Sequence, residues 1–342
     1  MKIVTRKKVV VISIFLSLLL CFVILLSITI GSVRVPFFHS IKIVFQSVLG
    51  LRVGGNETEQ TIILSLRIPR ILLSGLVGAG LSVSGATFQA LLRNPLADPY
   101  ILGVSSGGAV GAIIAILMGL SSPFATPLFS FAGALLTVIA VLYFGKQDGK
   151  IHPNTLLLTG VIIGSFLSAL IMFFISLSQK EELRTIIFWL MGDFSFSTPQ
   201  AIFIILPYIL LSTFFLYLHS RQLNLILSGE ENAVQLGVDV ERLKRITYLF
   251  ASLITAASVS ACGLIGFVGL IIPHSVRLVF GTDHRLLIPS AALVGASFLI
   301  ASDTLARTLL APIELPVGVI TAAFGGPFFI YLLKTRKVIK TL

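Results

Sequence analysis

A few charged residues stand out because they lie within long apolar runs. Arg67 and Arg70 flank Pro69 at the start of one run, and Asp303 and Arg307 lie one helical turn apart near the end of another. A charged side chain within a membrane-spanning run is costly, and it is usually paired or functional. Two simple interpretations stay open: an i, i+4 ion pair between Asp303 and Arg307, and arginines that extend to the membrane interface.

Other kinds of chemistry find little support in the sequence. It contains no Gly-x-x-x-x-Gly-Lys-Ser/Thr loop for nucleotide phosphates, so a nucleotide must be bound by another chain. Asp303 is the main acid within an apolar run, which argues against an ion-coupled carrier and against an intramembrane enzyme. The histidines show no spacing typical of a metal site: His39, His152, His219, His274 and His284.

The composition indicates a polytopic membrane protein of the all-α class. Of the 342 residues, 56% are hydrophobic and only 11% are charged, and the mean hydropathy is +1.03. Soluble proteins carry about 25% charged residues. At roughly 20 residues per span, the length predicts about ten transmembrane helices in a single domain that covers residues 1–342. Basic cytoplasmic loops explain the net charge of +11, so nucleic acid is not expected as a partner.

The predicted topology places both termini in the cytoplasm. Basic residues precede the first apolar run, Val9–Ile30, which is too long for a typical signal-peptide core and predicts a retained helix. Lys and Arg are more numerous in the segments that ten helices would place inside, in agreement with the positive-inside rule. Helices two to five and seven to ten share a weak pattern, which predicts two five-helix halves in inverted relation.

Some element boundaries can be predicted from the same pattern. The second helix is expected over residues 61–92 and the seventh over residues 246–261. A polar cytoplasmic turn is expected over residues 145–154. Trp189 predicts a short interfacial helix within the outer segment 178–199, because indole rings favour the headgroup level.

The densest motifs lie between Arg67 and Gly111. Small residues recur at every fourth position there, a spacing that lets helix backbones approach closely in lipid. Five strings are distinctive: Arg67-Ile-Pro-Arg70, Ser84-Gly85, Gln89-Ala-Leu, Asn94-Pro-Leu-Ala-Asp-Pro99 and Leu102-Gly-Val-Ser-Ser-Gly107. With these strings the chain resembles the FecCD-type, BtuC-like permeases, the membrane subunits of ATP-binding-cassette (ABC) importers for ferric siderophores, haem and vitamin B12. Further strings such as Pro273-His-Ser-Val-Arg277 follow in order, so the resemblance covers nearly the full chain.

The resemblance implies a role for the arginines at the predicted outer face. Family members use arginines at these places to hold acidic residues on the two lobes of the extracytoplasmic binding protein. Binding-protein docking is therefore implied for Arg67, Arg70 and Arg307, with their side chains expected at the outer surface. The local ion pair and the interfacial arginines remain the alternatives.

A polar segment, residues 229–245, follows the sixth predicted helix. Its few small and apolar positions predict a short surface helix that ends at Gly237, although a plain solvated loop is the simpler alternative. The segment resembles the coupling segment by which ABC permeases insert into a groove on their ATPase. The residues that match are Glu230, Glu231, Ala233, Leu236 and Gly237.

Two inner positions are candidates for a cytoplasmic gate. Asn94 and Leu96 lie in the turn after the second predicted helix, and Asn154 and Thr155 lie at the start of the fifth. Asn-Pro is by itself only a turn signal. In the family these regions narrow the inner end of the pathway, so the resemblance implies a gate here.

The resemblance implies the permease subunit of an ABC importer for a metal chelate, with no catalytic activity and no cofactor or metal of its own. ATP and Mg²⁺ would be bound by two copies of a cytoplasmic ATPase. The other implied partners, at the bacterial plasma membrane, are an extracytoplasmic binding protein and a second copy of the permease or a sister permease. A ferric siderophore is the first expectation for the substrate, then haem or cobalamin, then molybdate-type oxyanions. An ion-coupled secondary transporter with inverted repeats is the alternative function.

Overall fold

The computed structural model describes residues 4–51, 56–120, 122–147, 149–195 and 197–334, which are mostly helical. The first part of the chain forms α1 (Arg6–Thr29), α2 (Phe37–Val48), α3 (Glu57–Gln60), α4 (Ile68–Leu91), α5 (Val104–Leu117) and α6 (Ala125–Phe144). A π-helical stretch, Thr61–Arg67, joins α3 and α4 into one continuous helix.

A small antiparallel hairpin connects this part to the rest of the chain. Its strands are β1 (Lys146–Gln147) and β2 (Lys150–Ile151). The helices that follow are α7 (Pro153–Leu177), α8 (Lys180–Met191), α9 (Pro199–Leu218), α10 (Ser220–Leu227), α11 (Glu230–Gln235), α12 (Val240–Cys262), α13 (Val268–Phe280), α14 (His284–Ala306) and α15 (Val317–Lys334).

Seven helices within the described residues are long and apolar enough to cross a membrane. They are α1, the joined helix that contains α4, α6, α7, α9, α12 and α14. Three shorter apolar helices, α5, α13 and α15, accompany them. The predicted all-α membrane fold is confirmed, while the cytoplasmic position of the termini and the inverted relation of the two halves stay predictions.

α4, α12 and α14 form the centre of the fold. The most apolar stretch is 67% buried in α12 and α14, but 6% buried in α1 and 17% buried in α7. α4 packs against α12, α13 and α14, and glycine makes the close approach possible. A Cβ added to Gly78 would collide with the carbonyl oxygen of Gly295, and one added to Gly85 would collide with that of Gly269. The small residues of α4 thus bring helix backbones into direct contact, as the sequence predicts.

Three of the predicted elements differ from the structure. The second helix begins at Glu57 and not at residue 61, because the π-helical stretch joins α3 to α4. α12 begins at Val240, earlier than the predicted residue 246, because the side chain of Asp239 accepts a hydrogen bond from the N–H of Arg242 at 3.0 Å and caps the helix. The polar turn predicted over residues 145–154 is a hairpin in which Lys146 pairs with Ile151, as hydrogen bonds between β1 and β2 satisfy its backbone. A short helix, α8, is present around Trp189.

Candidate functional site

The charged cluster at the predicted outer face joins the start of α4 to the end of α14. Arg70 donates from Nε to both carboxylate oxygens of Asp303, at 2.9 and 3.0 Å, and from Nη1 to Glu314 Oε2 at 2.6 Å. Asp303 is fully buried, whereas the Glu314 side chain is 37% exposed. Arg307 Nε lies 3.7 Å from Asp303 Oδ2, so the predicted i, i+4 ion pair is present as a longer contact. These partners compensate for the burial of the Asp303 charge.

Arg67 and Arg307 contact the C-terminal end of α1. Arg67 Nη1 donates to the carbonyl of Ile28 at 2.6 Å, and Arg307 Nη2 donates to the carbonyl of Ser27 at 2.9 Å. The last carbonyls of a helix have no partner within it, and α1 has no basic residue in its own last turn. The two arginines therefore fix the end of α1 against α4 and α14.

All three arginines predicted to dock a binding protein are buried. Arg67 and Arg307 are each 4% exposed and Arg70 is 8% exposed, in contrast to the surface position expected from the sequence. Their carbonyl and carboxylate partners direct each guanidinium into the fold. Glu314 forms the exposed edge of the cluster, where it also accepts a hydrogen bond from Ser195 Oγ at 3.2 Å. Docking at this face stays a prediction.

The predicted coupling segment folds as the short helix α11 between α10 and α12. Ala233 is fully buried in a small apolar cluster with Ile226, Val238 and other neighbours. Gly237 follows the helix with φ of +80°, and the N–H of Val238 returns to the carbonyl of Ala233 at 3.0 Å. Glycine adopts this left-handed helix end without strain. The short surface helix expected from the sequence is therefore present, and the alternative of a plain loop is wrong.

The exposed side of α11 and of the turn after it carries apolar residues. Val234 is 59% exposed and Leu236 is 66% exposed, and Glu231 and Gly237 are exposed beside them. Among the predicted coupling residues, only Ala233 faces the interior. Neighbouring exposed apolar side chains are typical of a contact with another protein. Val234 was not identified from the sequence, where its signal is an apolar residue in an otherwise polar segment.

An ion-pair network joins α11 to three other segments of the predicted inner face. Glu230 Oε1 lies 3.3 Å from Nη2 of Arg93 in the turn after α4, and Glu230 Oε2 accepts from Lys244 Nζ at 2.8 Å. Lys244 Nζ also contacts Glu241 Oε1 at 3.2 Å and donates to the carbonyl of Ile151 at 2.9 Å. Of these residues, only Glu230 was identified from the sequence. The i, i+3 spacing of Glu241 and Lys244 is a signal for one pair, but nothing in the sequence links Arg93 to Glu230.

The four gate candidates lie on two segments that pack together. Asn94 Oδ1 accepts from the N–H of Leu96 at 2.9 Å, which closes the turn, and Leu96 is 38% exposed. Asn154 is exposed and Thr155 is partly buried in the first turn of α7. The two segments meet farther along α7 at Gly160, where an added Cβ would lie 2.8 Å from Leu102 Cα. The structure therefore brings the loop after α4 against α7 at Gly160, five or more residues along the chain from the gate candidates themselves.

Two of the strings that carry the resemblance meet between α4 and α13. Arg277 Nη1 donates to Gln89 Oε1, and Gln89 Nε2 donates to the carbonyl of Leu270 at 3.3 Å. His274 is fully buried on the same helix, and its ring nitrogens have no hydrogen-bond partner among the described residues. The described ranges contain no group of His, Cys, Asp and Glu that could hold a metal ion.

Asp283 organises the turn between α13 and α14. Its Oδ1 accepts from the N–H of Arg285 at 3.0 Å and from Asn224 Nδ2 at 2.8 Å. Burial by itself raises the pKa of the Asp283 carboxyl, but the hydrogen bonds from Arg285 and Asn224 and the Arg285 charge outweigh it, so the pKa lies below its ordinary value. The ionised carboxylate caps α14 and holds α10 against it.

Comparisons with known proteins agree over most of the chain. Residues 19–335 match the model of the FecCD transport family. The uncharacterized ABC transporter permease protein YvrB of Bacillus subtilis is 44% identical, over 91% of this chain and 89% of that protein. The cobalamin import system permease protein BtuC of Halobacterium salinarum is 46% identical, over 84% of this chain and 77% of that protein. The hemin transport system permease protein HmuU of Yersinia pestis is 38% identical, over 82% and 86%.

Two solved structures share the fold. A chain from an inward-facing structure of a transporter assigned to the metal-chelate ABC type aligns with a TM-score of 0.83 and 34% identity, over 95% of this chain and 99% of that chain. PsaBC from Streptococcus pneumoniae in complex with Fab aligns with a TM-score of 0.53 and 19% identity, over 77% of this chain and 89% of that chain. At that identity the second alignment describes the fold alone.

Proposed function

Because the chain belongs to the FecCD transport family, we propose that it is the permease subunit of an ABC importer that carries a metal chelate across the bacterial plasma membrane. The resemblance found in the sequence is confirmed. The observation that carries the proposal is the identity of 46% and 38% to permeases named for cobalamin and hemin. A permease subunit of this kind is not an enzyme, since the ATPase is a separate subunit.

At the inner face, α11 is the proposed contact with a cytoplasmic ATPase. Val234 and Leu236 project from a short polar segment, which suits insertion into an apolar groove. Ala233 supports this contact from inside by fixing α11 on α12, and Gly237 ends the helix so that Leu236 stays exposed. Two ATPase copies and a second copy of the permease, or a sister permease, would complete the transporter, with ATP and Mg²⁺ bound by the ATPases.

At the outer face, the proposed partner is an extracytoplasmic binding protein. Among the described residues the cluster holds three arginines, Arg67, Arg70 and Arg307, and two acids, Asp303 and Glu314. Ser195 Oγ links Glu314 to a third acid, Asp193. The buried arginines offset part of this acidic charge, and the resulting field at the outer surface would affect mainly the orientation and the association rate of a partner. Because the arginines are buried, they would contribute through this field and through the shape they give to the outer surface.

The proposed cytoplasmic gate consists of Asn94 and Leu96 in one segment and Asn154 and Thr155 in the other. Exposure of Leu96 and Asn154 supports this role, because a gate residue must face the pathway and not the core. The close packing of Gly160 on Leu102 supports it further, since movement of one segment would displace the other.

A metal chelate is the proposed substrate class. Different observations favour a ferric siderophore, cobalamin or haem within that class. From the sequence, a ferric siderophore is the first expectation. Two of the relatives reported above are named as permeases for cobalamin and hemin, which favours a metal tetrapyrrole. Ferric siderophores, cobalamin and haem are all large metal complexes, so an uptake assay must include each of them.

The proposal is tested in liposomes that contain the permease with the ABC ATPase and the binding protein of its own organism. Uptake of radiolabelled cyanocobalamin, haemin and a ferric hydroxamate siderophore is measured with ATP on the ATPase side. We expect uptake of one of the three, and we expect it to stop when ATP, the ATPase or the binding protein is omitted. Uptake without the ATPase, driven by a proton or sodium gradient, would contradict the proposal in favour of a secondary transporter. Uptake of none of the three with an active ATPase would contradict the chelate class.

A further inference from the structure

Glu230 lies where the proposed ATPase contact meets the rest of the inner face. Its two carboxylate oxygens have different partners, Arg93 on one side and Lys244 on the other. Arg93 directly precedes Asn94, so it belongs to the turn that holds one pair of gate candidates. A single carboxylate therefore joins the coupling segment to a proposed gate segment.

Lys244 extends the same connection to the other gate segment. Its ammonium group has three N–H donors, and they match three acceptors: Glu230, Glu241 and the carbonyl of Ile151. Glu241 Oε2 accepts in turn from the N–H of Ile151 at 2.9 Å. Side chains of α12 thus hold both polar backbone groups of Ile151, which lies just before α7 and its pair of gate candidates.

The network is balanced in charge and unevenly buried. Two cations, Arg93 and Lys244, face two acids, Glu230 and Glu241. Lys244 is 2% exposed, whereas the side chains of Arg93 and Glu230 are 38% and 34% exposed. An exposed ion pair contributes little to stability, so a stabilising role does not explain the Arg93–Glu230 contact.

The backbone of Arg93 supports a role beyond stability. Arg93 has a φ of +48°, in the left-handed region that glycine adopts most easily. The N–H of Asn94 returns to the carbonyl of Gln89 at 3.1 Å, which gives α4 the same kind of end that Gly237 gives α11. At Arg93 the chain places a charged residue where glycine would be less strained, and the side chain binds Glu230.

We propose that Glu230 and Lys244 are positioning residues that transmit displacement of the coupling segment to both inner gate segments. The inference rests on the proposed function. When an ATPase displaces α11, Glu230 moves the turn after α4 through Arg93, and it moves the end of β2 through Lys244. Neither residue contacts the transported solute.

The first test compares Glu230→Gln with Glu181→Gln in the assembled importer. Glu181 is an exposed acid in the first turn of α8, outside the network and outside the proposed ATPase contact, so its variant controls for the loss of one negative charge from the permease. The substrate is whichever of cyanocobalamin, haemin and ferric hydroxamate the wild type carries. We expect Glu230→Gln to retain its ATPase and the wild-type rate of ATP hydrolysis but to lose about tenfold in solute carried per ATP, a typical size for coupling between sites. Glu181→Gln should behave as the wild type.

A covalent bridge gives a second measurement that a merely structural role would not change. Arg93→Cys and Glu230→Cys are combined in a background that carries Cys21→Ala and Cys262→Ala. Solute carried per ATP is measured before and after treatment with a short bifunctional maleimide. We expect a low ratio before treatment and recovery after it, because the bridge replaces the ion pair. No recovery, or a complete block of uptake by the bridge, would overturn the inference.

The outcomes separate this inference from the proposed function. Absence of ATP-dependent uptake by the wild type would refute the proposed function itself. Normal wild-type uptake together with equal ratios for Glu230→Gln and Glu181→Gln would refute only the transmission role. If Glu230→Gln does not assemble with its ATPase, the bridged cysteine pair decides the matter.

Discussion

The charged clusters at the two faces of this permease use the same residue types in different surroundings. At the outer face, Asp303 is fully buried and its partner Arg70 is 8% exposed. At the inner face, the side chains of Glu230 and Arg93 are 34% and 38% exposed, and Lys244 is the buried member. The outer cluster joins the ends of the long helices α1, α4 and α14. The inner network joins the turn after α4, a small hairpin, a six-residue helix and the first turns of α12.

This difference in burial distinguishes a rigid contact at the outer face from a contact at the inner face that can rearrange. Breaking a buried ion pair leaves an uncompensated charge in an apolar surrounding, so the outer cluster resists rearrangement. Water can replace the partners of an exposed ion pair at little cost, so the inner network can change without unfolding the chain. The comparison predicts that similar substitutions affect stability at the outer face and transport at the inner face.

The largest expected effect is that of Asp303→Asn. The substitution leaves Arg70 and Arg307 buried without their shared charge, so we expect a loss of about 3–5 kcal/mol in the free energy of unfolding. Thermal unfolding of the purified permease in detergent measures it. Glu314→Gln is the matched control, because it removes the half-exposed partner of Arg70 and should cost less than about 1 kcal/mol. Equal stability of the two variants would show that the buried contact of Arg70 with Asp303 and its partly exposed contact with Glu314 do not differ in energy.

The next effect contrasts two neighbours on the coupling segment. Ala233→Arg places an unpaired charge in the apolar cluster under α11, so we expect it to destabilise the permease by about 3 kcal/mol. Leu236→Arg changes an exposed side chain, so the permease should fold normally but bind its ATPase about tenfold more weakly. Unfolding in detergent and co-purification of the ATPase measure the two effects. A stable Ala233→Arg variant, or normal ATPase binding by Leu236→Arg, would contradict the assigned faces of this segment.

The smallest expected effect is that of Glu230→Gln on stability. Its contact with Arg93 is exposed and its amide can still accept from Lys244, so the free energy of unfolding should fall by less than about 1 kcal/mol. The same detergent unfolding assay measures it beside Asp303→Asn. A loss of stability as large as that of Asp303→Asn would show that the inner network is also a rigid contact.

The coupling segment shows where prediction from sequence succeeds and where it ends. The sequence predicts a short helix that ends at Gly237, because glycine at a helix end is a local signal. It does not distinguish buried Ala233 from exposed Val234 and Leu236. A helix of 6 residues is less than two turns long, so its apolar pattern has too few positions to define a face.

For the outer arginines, too, the sequence predicts the location but not the burial or the partners. The sequence places Arg67, Arg70 and Arg307 at one face of the membrane and predicts the ion pair within α14, since Asp303 and Arg307 are separated by one turn. It gives no signal for burial of these arginines or for their contacts with the end of α1. Those contacts depend on how α1 packs against α4 and α14 and not on any local pattern.

The sequence by itself determined the membrane class, the long apolar helices, the family and the two faces at which function is expected. Hydrophobicity, turn chemistry and short motifs are properties of neighbouring residues, so they can be recognised before the chain folds. Only the tertiary structure decided which charges that are distant in the chain become partners. Arg70 with Asp303 and Arg93 with Glu230 are far apart in the chain, and helix packing alone brings their side chains together.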